Sequence, residues 1–490
     1  MRRFLLALLV VSSMASAERR ATPQPQRSSP LDLGKSQYEK GRYARSIELF
    51  GQAIQSSATA SERNLAYYYQ GLALFELGFY YSAYVSFRNV LITADASNKA
   101  IYEKAIKNAV IITDKLDMTE RLGKTLQALP NTFISPSVAG HANYAIGSYY
   151  QSVGEDQKAA GYLKSVSPES QFYAKSLFLL GVMATRAHNY AESSANFDRA
   201  IQACGREKDK ASLKELARLN LARTAYSSGQ IERSIELYSQ FTSSSPHWIT
   251  ILLEASWPLL RVNDTTVSLG NLHTVLSPFY QEDLVGEGYV LRATILFSLC
   301  KYEEMRKTLA QFFQIYDPIL RSMQAEENNL GSDNSFYEAY ANGKGINRPF
   351  VNFAKRDEGI TKSMKVIEIL RRERREMAGL GRGESIMQLA SQVDEAIGVA
   401  QREVGRDLRK LHTRKAKELT GQREQANYLK VEIVTGEKEL IEGQKGLPPK
   451  RVVDVETSVG ENYHFWPYYG EYWEDELGAY VYTTESSCVN

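Results

Sequence analysis

A glycine is followed nine residues later by tyrosine, at twelve by a small residue, at sixteen by phenylalanine, and at nineteen by a small or apolar residue. This pattern organises the first part of the chain. It occurs as Gly34, Tyr43, Ser46, Phe50 and Ala53, again as Gly71, Tyr80, Ala83, Phe87 and Val90, and again as Gly181, Tyr190, Ser193, Phe197 and Ala200. Two antiparallel helices approach closely only where both carry small side chains. The glycine and the small residue at twelve therefore mark a crossing, and the aromatic residues fill the space on either side. Further copies centre on Gly147, Ala222, Ser256 and Ala293, with a degenerate one at Val110. These anchors step by 34 to 41 residues, which predicts eight helical hairpins stacked over residues 31–320. Leu122, Ser256 with Pro258, and Met305 depart from the pattern and predict irregular units.

After Pro318 the pattern lapses. Residues 321–356, with NNLGSDNS and ANGKGINRPF, read as a loop-rich connection. A charged helical region is predicted over 357–445, broken into a hairpin by Gly379, Gly381 and Gly383. Its second arm carries Val393, Ile397, Ala400, Val404, Leu408 and Leu411 at steps of three and four, the seam of a helical hairpin or coiled coil. GLPPK at 446–450 ends it, because consecutive prolines cannot continue a helix. The last segment, 446–490, changes period. VVDVETSV (452–459) and AYVYTT (479–484) read as short strands, and between them lies an aromatic, acidic stretch with Trp466 and Trp473 as candidate anchors. Two roles stay open for this tail: a cap folded back on an apolar helical surface, or a docking segment for another protein.

The spacing resembles the tetratricopeptide repeat, whose unit is about 34 residues. The resemblance covers 31–320 and implies an all-α, right-handed superhelix of hairpins, here followed by the helical region and an aromatic, partly β tail. In that family the first helix of each hairpin lines a concave groove. The matching sites here are Tyr38, Tyr68, Leu72, Phe75, Phe178, Tyr226, Trp257 and Phe297, with Lys35, Arg186 and Arg223 as scattered charges. A clamp for a terminal carboxylate wants clustered cations, so a mostly apolar groove suits a hydrophobic or aromatic segment better. Residues 254–279, 291–312 and the WPYYGEYWEDELGAY tail resemble tetratricopeptide proteins of the deltaproteobacterial cell envelope, including components associated with gliding motility. That narrower resemblance implies a periplasmic scaffold near the outer membrane.

The N-terminus fits such a setting. MRRFLLALLVVSSMASA has a basic start, a short apolar run and an A-x-A site, which predicts a secretory signal over 1–17 and a polar linker over 18–30. No cysteine stands near the expected cleavage at Ala17, so a lipid anchor of the lipoprotein type is not indicated. In an oxidising compartment Cys204, Cys300 and Cys488 could form one bridge, with three pairings open.

The rest of the composition narrows the chemistry. A net charge of +2 gives no reason to expect a nucleic-acid partner. None of the six histidines falls in HExxH or in a zinc spacing, no GxSxG occurs, and the glycine-rich stretches lack a phosphate-binding pattern. The RRERR run at 371–375 could meet acidic lipids or a partner, but an exposed helix face is the simpler reading. The reading is a protein that is not an enzyme, with no cofactor, metal or small-molecule substrate, partnered by other envelope proteins and touching membrane only indirectly. The alternatives are a periplasmic chaperone or assembly factor and, last, an envelope-associated enzyme built on 357–442.

Overall fold

The computed structural model describes residues 29–93, 99–205, 207–444, 468–483 and 486–488. The expected signal segment, most of the linker, the strand expected at 452–459 and Trp466 lie outside the described residues.

The chain is all-α. Sixteen helices alternate as hairpins: α1 (Pro30–Glu39) with α2 (Tyr43–Ser56), α3 (Ala60–Glu76) with α4 (Tyr80–Ile92), α5 (Lys99–Lys115) with α6 (Thr119–Gln127), and α7 (Pro136–Ser152) with α8 (Asp156–Lys164). They continue as α9 (Tyr173–Arg186) with α10 (Tyr190–Cys204), α11 (Ala211–Ser227) with α12 (Ile231–Ser239), α13 (Trp248–Arg261) with α14 (Thr265–Val275), and α15 (Gly286–Ser298) with α16 (Tyr302–Leu330).

One corner recurs in all eight. Seven residues after each anchor the backbone turns left-handed, at Gly41, Gly78, Asp117, Gly154, His188, Gly229, Asn263 and Cys300. In each corner that residue's N–H donates three residues back and the next N–H donates five back, as in Gly41 to Tyr38 and Arg42 to Gln37. The pair satisfies two of the carbonyls orphaned at a helix end and aims the chain back along the first helix. Glycine takes this conformation freely, and the other four residues hold it at a cost of about 1 kcal/mol each.

The anchor glycines stand where ring meets helix. A Cβ on Gly34, Gly71 or Gly181 would lie 2.6, 2.8 or 2.7 Å from Phe50, Phe87 or Phe197. Gly181→Val should therefore cost about 1–3 kcal/mol by overpacking, read as a lower urea midpoint for a 99–275 signal such as hydrogen exchange in α9–α10. An unchanged midpoint would mean the ring moves aside without penalty.

The expected loop-rich segment at 321–356 is helical instead. α16 continues through Pro318, because the single lost hydrogen bond is outweighed by burying Tyr316, Leu320 and Met323 on its inner face. Gly331 ends it in a left-handed turn, and Ser332 caps α17 (Asp333–Asn342) by accepting from the N–H of Ser335. Asn347 does the same for α18 (Arg348–Arg356) through the N–H of Phe350. The turn-forming residues that suggest a loop are helix caps. The hairpin follows as α19 (Glu358–Ala378) and a 61-residue α20 (Glu384–Gln444).

This hairpin is a clamp across the array. Leu370, Met377, Ile386, Leu389 and Val393 join the core of the first repeats. Further along α20, Val404, Leu408, Leu411, Leu419, Ala426 and Ile433 join the core of α15–α18. The hairpins between have smaller clusters of their own. Two carboxylates fix the near end reciprocally. Glu48 of α2 accepts from the N–H of Ile386 at 3.0 Å at the start of α20. Glu373 of α19 accepts from the N–H groups of Tyr81 (3.0 Å) and Ser82 (2.9 Å) at the start of α4, and from the Ser82 hydroxyl at 2.5 Å. Each carboxylate satisfies first-turn amides of a helix on the other body. At the far end buried His412 of α20 bonds Glu326 of α16 at 3.0 Å, with Asn347 and Ser322 also donating to that carboxylate.

Candidate functional site

Most expected groove positions are spent on packing, within their own hairpin or against the next repeat. Tyr38 and Tyr68 both meet Tyr69, at 6.1 and 5.6 Å between ring centres. Phe75 and Leu72 lie half-buried against the first core, Phe75 edge-on to Tyr80. Phe178 sits against Phe197, and Phe297 against Tyr302. Tyr226 is half-buried. Trp257 donates its indole N–H to Glu287 of the next repeat at 2.7 Å. The groove charges are likewise paired between repeats: Arg223 makes two bonds to Glu254, and Lys175 reaches Asp114 at 2.5 Å. Lys35 lies over Tyr69 and Arg186 near Asp156. No free cation cluster for a carboxylate clamp results among these positions.

The tail, by contrast, occupies a built site on α13–α16. Residues 478–482 run antiparallel along α14. The N–H of Gly478 donates to the Thr274 hydroxyl at 2.8 Å, and the N–H of Tyr482 to the Thr266 carbonyl at 3.2 Å. Gly270 of α14 makes room, since a Cβ there would collide with the Tyr480 carbonyl. Gly478, at φ +91°, brings the backbone against the Trp248 ring, where a Cβ would fall 2.5 Å from the indole. His273 is only 7% exposed and is surrounded by the rings of Tyr468, Tyr472 and Tyr480 at 4.7, 4.6 and 4.9 Å. Burial, aided by nearby Arg292, pushes its pKa down to about 4. Tyr482 donates its hydroxyl to Glu304 at 2.7 Å and lies under the Arg292 guanidinium. Burial and that carboxylate push the phenol up to about 12. The N–H of Ser487 then donates to the Leu299 carbonyl, and Cys488 is disulfide-bonded to Cys300 at the corner of the eighth repeat. Cys204 is buried and free.

Two expectations are corrected here. Residues 480–483 form no strand, because their partners are the flank of α14 and the corner of α15 rather than a second strand. Trp473 is not a buried anchor: it is 44% exposed, and Tyr472, Tyr480 and Tyr482 point inward instead. Sequence reasoning missed Trp248, Gly270, His273, Arg292 and Glu304, which carry no periodic signal. The one legible cue was the out-of-place cysteine at Cys300 where glycine or asparagine is usual.

The site makes a prediction of its own. Gly270→Val together with reduction of the disulfide should displace 468–488, seen as cleavage of the tail by a protease that leaves the array intact, with reduction alone giving partial release. A closed loop of this length is worth up to about 5 kcal/mol in the chain-entropy account. A tail that stays protected in the reduced variant would show that these contacts do not hold it.

Among the described residues no three His, Cys, Asp or Glu side chains lie together as metal ligands. No helix there is long and apolar enough to cross a membrane.

No known family profile matches the chain, and no curated protein matches its sequence. Solved structures do match. The C-terminal part of a TPR repeat-containing protein from Cytophaga hutchinsonii is 14% identical over 54% of this chain and 95% of its own, with a TM-score of 0.33. Yeast Tom70 is 14% identical over 85% of this chain and 96% of its own, with a TM-score of 0.22. The class itself follows from this chain's own geometry. Eight hairpins with one recurring corner, three of them with a glycine seated on the phenyl ring sixteen residues later, make a tetratricopeptide-like all-α repeat protein. It departs from a plain array in its clamp and its docked tail.

Proposed function

We propose that the protein is a non-catalytic scaffold of an extracytoplasmic envelope complex, holding partner proteins on a repeat array of fixed curvature. The observation that carries this is the α19–α20 clamp, which joins the core of the first repeats to the core of the last, while α10–α12 contribute to neither core. A frame held at both ends presents its middle surface with little conformational cost on binding. The periplasmic setting is supported by the N-terminal signal pattern and by the Cys300–Cys488 bond, of a kind found mainly in oxidising compartments. The narrower placement beside a gliding-motility machine rests on the tail and mid-chain resemblance alone.

The test is cross-linked affinity purification from intact cells, with fractionation of the same cells. Stoichiometric recovery of a few fixed envelope proteins supports the scaffold. Many weak clients would replace it with a chaperone, and a cytoplasmic protein with reduced cysteines would remove the envelope setting.

A further inference from the structure

The middle of α20 carries an exposed row of cations, Arg402, Arg406, Lys410, Arg414 and Lys417, at steps of four, four, four and three. At 1.5 Å per residue the row is about 22 Å long and lies on one face. Its neutralisation is slight. Arg406 and Lys410 share Asp407 at 3.8 and 4.0 Å, and Arg414 reaches Glu418 at 4.0 Å. Arg402 and Lys417 have no ion pair among the described residues. The opposite side of the same helix is buried through Val404, Leu408 and Leu411, so the row is fixed in direction.

The docked tail presents the complementary chemistry. The Cys300–Cys488 bond and the α14 contacts hold its inner side, and its outer side carries exposed Glu474, Asp475 and Glu476 beside Trp473 and the 85% exposed ring of Tyr469. These three carboxylates make no ion pair within the chain among the described residues. Arginine and lysine pair with carboxylates and also lie favourably over aromatic faces, so one surface answers the other in both respects. The chain's net charge of +2 leaves little repulsion between copies.

We propose that the α20 cation row docks the aromatic, acidic tail face of a second copy. An anionic membrane would use the cation row but leave the tail face without a role. Because the two faces differ, two copies that exchange both contacts close a dimer, and copies that exchange one extend into a chain.

The test uses the full chain in analytical ultracentrifugation and light scattering. The native protein should associate at low ionic strength and dissociate at about 0.5 M salt, where screening reaches only about 4 Å. Arg402→Glu with Lys410→Glu and Arg414→Glu should weaken association about tenfold or more, as should Glu474→Lys with Asp475→Lys and Glu476→Lys. Mixing the two reversed proteins should restore a mixed complex, with unchanged circular dichroism showing that both fold. A monomer at every salt concentration, or association indifferent to both reversals, overturns the proposal. So does a monomer that pellets with phosphatidylglycerol vesicles through the cation row.

Discussion

Glu373→Ala should loosen the grip of α19 and α20 on the first repeats by about 3–5 kcal/mol. Glu373 is 1% exposed and accepts three hydrogen bonds from the start of α4. Truncating it leaves two helix-end amides and a hydroxyl without acceptors in a dry contact, and a small void besides. The loss is local, so hydrogen exchange over 358–400 and at Tyr81 and Ser82 is the reporter. Glu373→Gln keeps one acceptor oxygen and should recover roughly half of the protection. Equal exchange in native and alanine proteins would show that apolar packing alone holds the clamp. Acidity adds a sign. Burial raises the pKa of this carboxyl above the ordinary glutamate value, although the Ser82 hydroxyl and the two amides pull the other way. The docked state thus binds the proton more tightly than a detached hairpin does. Its contribution is complete below the ordinary glutamate range and is lost as pH rises through the raised value. The glutamine variant should lack that slope.

The tail should weaken in acid for the opposite reason. His273 is enclosed by Tyr468, Tyr472 and Tyr480 of the tail and faces Arg292 of α15, and its pKa is lowered to about 4. A displaced tail returns this imidazole to water, where it titrates near its ordinary value of 6.5. The undocked state therefore binds more protons across that window, and docking loses stability as pH falls from 6.5 towards 4. The shift corresponds to roughly 3 kcal/mol at the acid end. Protease access to 468–483, followed in reduced protein so that the disulfide does not mask release, should rise through this range. His273→Phe keeps an aromatic ring among the three tyrosines and should flatten the dependence. A native profile as flat as the variant's would mean that the ring is hydrated before the tail leaves.

What could be read from the sequence was whatever repeats. Gly181 and Phe197, sixteen apart, signal a helix crossing because close backbone approach has no other cheap solution, and the same spacing recurs at Gly34 and Gly71. The left-handed corner at anchor plus seven is marked by glycine in four repeats, whereas Asp117, His188, Asn263 and Cys300 hold it without that mark. Turn residues misled at 331–347, where Gly331, Ser332 and Asn347 close and open short helices. The alternation in AYVYTT does put Tyr480 and Tyr482 inward, yet period two says nothing about what stands opposite, and here it is a helix. Glu373 was hidden in a charge run, where a solvated face is the ordinary meaning of its neighbours. The groove residues were located by register, but register cannot tell a free aromatic from one such as Tyr38 that is spent on the next repeat.

The reciprocal carboxylate contacts also impose an order of events on synthesis. Glu48 meets a residue 338 positions later, and Ser82 one 291 positions later. Chains grow at about 5–20 residues per second, so the covering helices arrive some 15–60 seconds after the surface they cover. For that interval the first repeats carry a bare apolar flank, and only late closure of a very long loop removes it. Maturation of this protein should therefore end slowly, and truncation anywhere before α20 should give a chain that aggregates through its beginning rather than its missing end.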